Sequence, residues 1–302
     1  METATRQGAS GGRAARPPLA PPVARVPIAT TPNATLADRI DLTPSIARFR
    51  IRPDDGVPAF EPGQYLAFGL PVDGRLLQRP YSTASPRRAC DEVEFLIRRV
   101  PTGAFTPLLW DLPVGARLRL GRPKGLFTMK PDDQREHLFV ATGTGLAPFV
   151  SMLETLLAGS GSGERPPRAV VVHGVPFVGE LAYREQLEQW ASDGHRVAYA
   201  PAISRPNHPE NAGWSGAAGR VDAILDSLCE EHALDPLGTV AYLCGNPEMI
   251  AAGERILAAR GFPPDGIVSE HYWPGQPAGT TPTGQATPVP SSSGLRVRGD
   301  RV

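Results

Sequence analysis

Cysteine is scarce. The 302 residues hold three, Cys90, Cys229 and Cys244. No two of them form a C-x-x-C pair, so the usual spacing for a zinc site or an iron–sulfur cluster is missing and no metal centre is expected. An odd, sparse set also gives no disulfide framework and fits a reducing compartment, so the expected location is cytoplasmic. Long apolar runs are missing too: no stretch of about 18 residues could span a bilayer, and no membrane association is expected. There is no charge imbalance. Lys+Arg and Asp+Glu each number 31, a formal net charge of zero, so nothing global draws the chain to nucleic acid or to an anionic membrane. The six histidines show no H-E-x-x-H or similar ligand spacing. His137, His173 and His195 fall at strand edges and read as structural.

The two ends have little that could form a core. Residues 1–33 lack the apolar stretch of a secretory signal and carry many prolines, so they read as a disordered leader. Residues 274–302, rich in Pro, Gly, Ser and Thr, read as a flexible tail.

Between the tails the pattern changes once. Residues 34–132 hold six short strand-like segments, "TLADRIDL", "IARFRIRP", "QYLAFGLP", "RLLQRPYSTAS", "DEVEFLIRRV" and "RLRLGRP", with one short helical piece at "GAFTPLLWDL". Turn signals such as Pro62-Gly63 and Asp73-Gly74 separate several of them. Six strands without an internal repeat predict a six-stranded antiparallel β-barrel. From 133 to 273, apolar strands alternate with amphipathic helices: "HLFVAT" with "APFVSMLETLLA", "RAVVVHGV" with "ELAYREQLEQWA", "RVAYAPAIS" with "GRVDAILDSLCEEHA", and "TVAYLCGN" with "PEMIAAGERILAAR". A closing strand, "GIVSEHYW", follows. This predicts an α/β domain with a five-stranded parallel sheet, whose ligands bind beyond the carboxyl ends of the strands.

Three motifs carry chemistry. In "LQRPYSTAS", Arg79 and Tyr81 lie two apart and share a strand face. A guanidinium fork suits a phosphate and a phenol ring suits stacking, so the pair fits a nucleotide with a planar ring and a pyrophosphate. Spacing alone does not bring Ser82 to that face. In "VATGTGLAPF", a strand runs into Gly143 and Gly145 ahead of a helix, and Pro148 fits an early helix position. Glycines there let the backbone approach a ligand, and the helix start offers N–H groups to an anion. In "YLCGNPEM", Cys244, Gly245 and Asn246 end a later strand at the same crevice.

In this order the motifs resemble those of ferredoxin–NADP(+) reductases of the bacterial type, within the wider ferredoxin reductase-like superfamily. The resemblance covers residues 34–273. It implies FAD and NADPH as cofactors, with a barrel that binds flavin and an α/β domain that binds NADP. By that resemblance the R-P-Y-S run binds flavin: Arg79 holds the pyrophosphate, Pro80 lies within the run, Tyr81 stacks on the isoalloxazine and Ser82 lies near its N5. "GAFT", with Gly103, Phe105 and Thr106, resembles the family's second phosphate segment. Thr142, Gly143, Thr144, Gly145 and Pro148 would face the pyridine-nucleotide pyrophosphate, joined by Gly245 and Asn246, with Cys244 beside the nicotinamide. Ser204, Arg205 and Arg220 match the positions that take the 2′-phosphate, and this favours NADPH over NADH. "SEHYW" is similar to a run that ends the chain in one bacterial branch, which implies Glu270 near the reacting atoms and Tyr272 and Trp273 near the flavin. Here 29 further residues follow Trp273.

The implied activity is hydride transfer from NADPH to FAD, then single-electron transfer to an acidic carrier, ferredoxin or flavodoxin. Arginines at 75, 79, 87, 88, 98 and 99 give the barrel a basic bias that suits such a carrier. The expected state is a monomer. Two alternatives stand beside it: a related NAD(P)H reductase serving free flavin or an oxygenase component, and a non-catalytic flavin or nucleotide sensor or assembly subunit.

Overall fold

The computed structural model describes residues 31–85, 91–131, 133–159, 166–194 and 196–271. The expected leader up to Thr30, the tail, Cys90, Arg87, Arg88, His195, Tyr272 and Trp273 lie outside the described residues. No helix among the described residues is long and apolar enough to cross a membrane.

The first half is the expected six-stranded antiparallel barrel. Its strands are β1 (Ala34–Thr43), β2 (Ile46–Pro53), β3 (Tyr65–Val72), β4 (Arg75–Ser82), β5 (Val93–Arg98) and β6 (Arg117–Leu120). They run in the order β4-β3-β6-β1-β2-β5. Past the end of β4, a bridge from Thr83 to Phe95 and a bond from Ala84 N to Glu94 O (2.8 Å) join β4 to β5 and close the ring. Period-two alternation explains β2: Ala47, Phe49 and Ile51 point into the core, whereas Arg48, Arg50 and Arg52 point out. Asp73 and Gly74 both have positive φ (49° and 73°), which suits the two-residue hairpin between Val72 and Arg75. Helix α1 (Thr106–Trp110) stoppers one end, burying Phe105, Leu109 and Trp110 on the barrel core. Each such side chain contributes about 1.5–3 kcal/mol by leaving water. Asn33, at the end of the expected leader, is already docked: it exchanges two hydrogen bonds with the Leu120 backbone.

The second half is a parallel sheet of β7 (Glu136–Thr142), β8 (Ala169–Val175), β9 (Val197–Ile203), β10 (Ala217–Ala218), β11 (Thr239–Gly245) and β12 (Ile267–His271). The order is β10-β9-β8-β7-β11-β12. It contains the five expected strands plus a sixth: β10, two alanines that add to the edge of β9. Two residues of such low strand propensity leave no sequence signal. Helices α2 (Ala147–Gly159) and α3 (Arg184–Ser192) cover one face, and α4 (Val221–Glu231) and α5 (Pro247–Ala259) the other. The expected helix at "ELAYREQLEQWA" begins late, at Arg184, because Tyr183 takes a left-handed φ of 56°. Glu180 and Tyr183 are instead tied to the barrel, as described below. Strand order reverses between β7 and β11, so the crevice opens where Thr142 and Gly245 end those strands.

Candidate functional site

Strand β4 carries the barrel's share of the crevice. Arg79 and Tyr81 stand on one face, opposite Phe68 and Leu66 of β3. The Tyr81 ring is half-buried, propped edge-on by Phe68 at 5.2 Å and tilted against Phe105 at 6.0 Å. Burial pushes its phenol pKa upward, so it stays protonated. The Arg79 guanidinium bonds only the neighbouring Gln78 carbonyl (2.7 Å) among the described residues, with no carboxylate partner there. A half-buried ring beside an uncommitted guanidinium fits a flavin nucleotide. Pro80, between them, is exposed. In the "GAFT" segment the Thr106 hydroxyl is tied back to both backbone groups of Val100 (2.8 and 3.1 Å), and the Phe105 side chain is buried. What this segment can offer a ligand is therefore backbone, starting at Ala104, because Gly103 N already donates to Val100 O (2.9 Å).

Ser82, which spacing alone left on the other face, is buried and donates to Glu270 Oε2 across the two halves at 3.2 Å. Burial pushes the Glu270 carboxyl up to about 7, against the pull of the Ser82 hydrogen bond. Glu270 stands in register with Cys244 on the neighbouring strand. Cys244 itself is wholly buried in the apolar cluster that includes Leu146 and Phe149, rather than lying open at the crevice lip.

The nucleotide half is built from backbone. Gly143 opens a 3₁₀ turn with φ 55°, and α2 follows from Ala147, with Pro148 buried at its second position. A Cβ on Gly145 would lie 2.4 Å from the Cys244 carbonyl oxygen, and one on Gly245 would lie 2.3 Å from Thr142 Oγ1. Those glycines let the turn and the end of β11 close on each other. Thr142 Oγ1 completes the clasp by accepting from Asn246 N (2.8 Å), while the Asn246 side chain caps α5 by accepting from Glu248 N and Met249 N. A backbone cradle of this kind, with Thr144 at the turn, suits a diphosphate.

At the end of β9, Ser204 and Arg205 are exposed. The Arg205 guanidinium lies 5.3 Å from the Phe177 ring centre, with no ion pair among the described residues. Gly219 N bonds Ile203 O (3.0 Å), which brings Arg220, the N-cap residue of α4, to the same side of the sheet. Arg220 is already paired with Asp222 (3.0 Å) and Glu248 (3.7 Å).

Two features escaped the sequence reading. Arg98 of β5 grips Glu180 bidentately (2.7 and 3.3 Å) and lies against Gly143. Glu94 accepts from Arg48, Arg50 and the Tyr183 hydroxyl (2.6 Å), stitching the barrel to the segment before α3. These two links between the halves join residues 82 and 89 positions apart, and no local pattern marks them.

Comparisons agree with this geometry. The oxidoreductase FAD-binding domain family matches residues 33–129, and the oxidoreductase NAD-binding domain family matches residues 139–255. Ferredoxin–NADP reductase B of Sorangium cellulosum is 32% identical over 76% of this chain and 93% of its own. The reductase component of phenol 2-monooxygenase from a Pseudomonas species is also 32% identical, over 80% of this chain and 65% of its own. The crystal structure of a ferredoxin NADP+ reductase from Neisseria gonorrhoeae with bound FAD and NADP superposes with a TM-score of 0.67 at 25% identity, covering 80% of this chain and 98% of that one. The chain belongs to the ferredoxin reductase-like family of flavin- and pyridine-nucleotide-dependent oxidoreductases.

Proposed function

We propose that this protein is a ferredoxin–NADP(+) reductase that draws on NADPH and serves a small acidic electron carrier, ferredoxin or flavodoxin. The observation that carries the reading is the Ser82–Glu270 bond, which brings the flavin-type strand of the barrel to the edge of the nucleotide crevice. FAD, once bound, supplies the redox chemistry, accepting hydride from NADPH and releasing electrons singly. The chain's own residues bind, orient and exclude water. Arg79 holds the flavin pyrophosphate, aided by backbone N–H groups from Ala104 to Thr106, since Gly103 N already donates to Val100 O. Tyr81, supported by Phe68 and Phe105, would offer its ring to the isoalloxazine for stacking. Ser82 and Glu270 sit beside the ring's reacting edge, where a carboxyl of pKa about 7 can hold or release a proton. Thr142 to Gly145, with Gly245 and Asn246, cradle the dinucleotide, and Cys244 backs the nicotinamide site.

Arg205 is the main 2′-phosphate ligand, with Ser204 beside it. Arg220 contributes less, because Asp222 and Glu248 already neutralise it. Anaerobic titration of the flavin spectrum tests this. NADPH should bleach it at far lower concentration than NADH, and Arg205→Glu should cut that preference by about tenfold or more, against a few-fold for Arg220→Ala. Equal response to both nucleotides overturns the NADPH assignment. A bound flavin that neither nucleotide reduces overturns the enzyme. A second reading is favoured by the match to the phenol monooxygenase component: the electrons go to an oxygenase. Reduction of ferredoxin by the NADPH-reduced protein separates the two.

A further inference from the structure

His173 is wholly buried near the carboxyl end of β8, on the same sheet face as Val171, which α2 covers. Its Nε2 lies 3.0 Å from the carbonyl oxygen of Gly143, and its Nδ1 lies 3.4 Å from the Tyr199 hydroxyl on β9. A carbonyl can only accept, so Nε2 carries the proton and donates. Nδ1 is then the bare nitrogen, and Tyr199 donates to it, which selects this tautomer. Burial holds the ring neutral, with its pKa down near 4, so the donor is present throughout the neutral range.

Gly143 begins the nucleotide turn with φ 55°, and no peptide among the described residues is cis. In a trans peptide the carbonyl and the following N–H point in opposite directions. A Gly143 carbonyl aimed at His173 therefore aims the Thr144 N–H away from His173. That N–H belongs to the first turn, where a helical segment leaves its donors without internal partners.

We propose that His173 is a positioning residue for dinucleotide recognition: it fixes the Gly143–Thr144 peptide so that the Thr144 N–H meets an anionic diphosphate oxygen. The inference rests on the reading of the Gly143–Gly145 turn as the NADPH site. It gives a buried histidine, outside any metal-type cluster among the described residues, a role one peptide away from the ligand.

The test compares two amides of different reach in the flavin-loaded full chain. His173→Gln can bring an amide N–H to where Nε2 stands, whereas His173→Asn is one methylene short. Calorimetric titration with NADP+ should find Gln within about 3-fold of wild type and Asn weaker by about 10- to 100-fold, the range for one charge-assisted hydrogen bond. In steady state the Asn variant should raise KM for NADPH by a similar factor while kcat at saturation stays within about 3-fold. Asn binding as tightly as wild type overturns the proposal. So does an equal loss in Gln and Asn, which would mean the ring serves packing alone. If Asn does not hold flavin, His173→Leu is titrated in its place. If neither folds while Gln does, the contact serves folding and the proposal fails. A wild type that gives no NADP+ signal overturns the nucleotide site itself and is recognised before any variant is made.

Discussion

In the barrel, the groups proposed to meet a cofactor are mostly side chains on one strand, Arg79, Tyr81 and Ser82 of β4, with backbone of the segment before α1 beside them. In the parallel sheet they are mostly backbone, set by glycines at 143, 145 and 245 and held from below by Thr142 and His173. Side chains at a barrel rim can change without moving the strand that bears them. A backbone cradle is different, because the atoms that would bind are also the atoms that pack. The barrel half can therefore be tuned at little cost in stability, while the nucleotide turn cannot.

The largest expected effect breaks that contrast if it fails to appear. A Cβ on Gly145 would meet the Cys244 carbonyl oxygen at 2.4 Å and Gly245 Cα at 2.8 Å, backbone on both counts. Gly145→Ala should therefore cost about 3 kcal/mol or more in urea unfolding, since nothing flexible can yield. Arg79→Ala should shift stability by less than about 0.5 kcal/mol while loosening flavin retention, because the guanidinium contacts only its neighbour's carbonyl among the described residues. Similar costs for the two would mean the turn can relax, and the comparison would fall.

Next in size is the seam between the halves. Glu94 receives Arg48 at 2.9 and 3.0 Å, Arg50 at 3.1 Å and the Tyr183 hydroxyl at 2.6 Å. Burial pushes its carboxyl up, but the hydrogen bonds from Arg48 and Tyr183 outweigh that and hold it below the usual range. Glu94→Ala strands the Arg48 guanidinium and the Tyr183 phenol, at about 2–4 kcal/mol by thermal or urea unfolding, whereas the more exposed Arg50 keeps Asp38 at 3.6 Å. Tyr183→Phe, which removes one neutral donor, should cost about 1 kcal/mol. A Glu94→Ala chain as stable as wild type would show that the halves do not depend on this bond set.

The same contrast explains what the sequence made legible. Alternation in "IARFRIRP" and the Asp73-Gly74 hairpin are local signals, so the barrel could be read from them. The shared face of Arg79 and Tyr81 could be read from their spacing, whereas the place of Ser82 could not, because its partner Glu270 lies 188 positions on. The glycines were visible, but not their whole purpose. Gly145 reads as an approach for a ligand, yet the space its Cβ would take is filled by the backbone of Cys244, 99 positions on. Cys244, legible as a crevice residue, proves fully buried because the turn closes over it. The late start of α3 was hidden for the same reason: Glu180 and Tyr183 answer to Arg98 and Glu94 in the other half, and helix propensity yields to those bonds. His173 sits in an apolar strand, "AVVVHGV", where nothing local distinguishes a core histidine from one that holds a peptide.

The smallest effect sharpens the comparison by its sign. Glu270, on the sheet's edge strand, has its carboxyl raised by burial from an ordinary 4.5 to about 7. A raised acid binds its proton more tightly in the folded chain, so its contribution is full below pH 4.5 and is lost as pH rises to about 7. Glu94, at the barrel seam, is lowered and runs the other way: its contribution is present at neutral pH and is lost as pH falls below the usual carboxylate range. At about 1.4 kcal/mol per pKa unit, Glu270 could weigh about 3.5 kcal/mol at most. Its partial exposure cuts this to about 1 kcal/mol. Urea midpoints at about pH 4.5 and pH 8 should therefore fall less with pH in Glu270→Gln than in wild type, whereas a Glu94→Gln chain should lose more of its alkaline than of its acid stability. Equal pH slopes in wild type and Glu270→Gln would mean that water reaches the carboxyl, and that the Ser82 contact does not shield it.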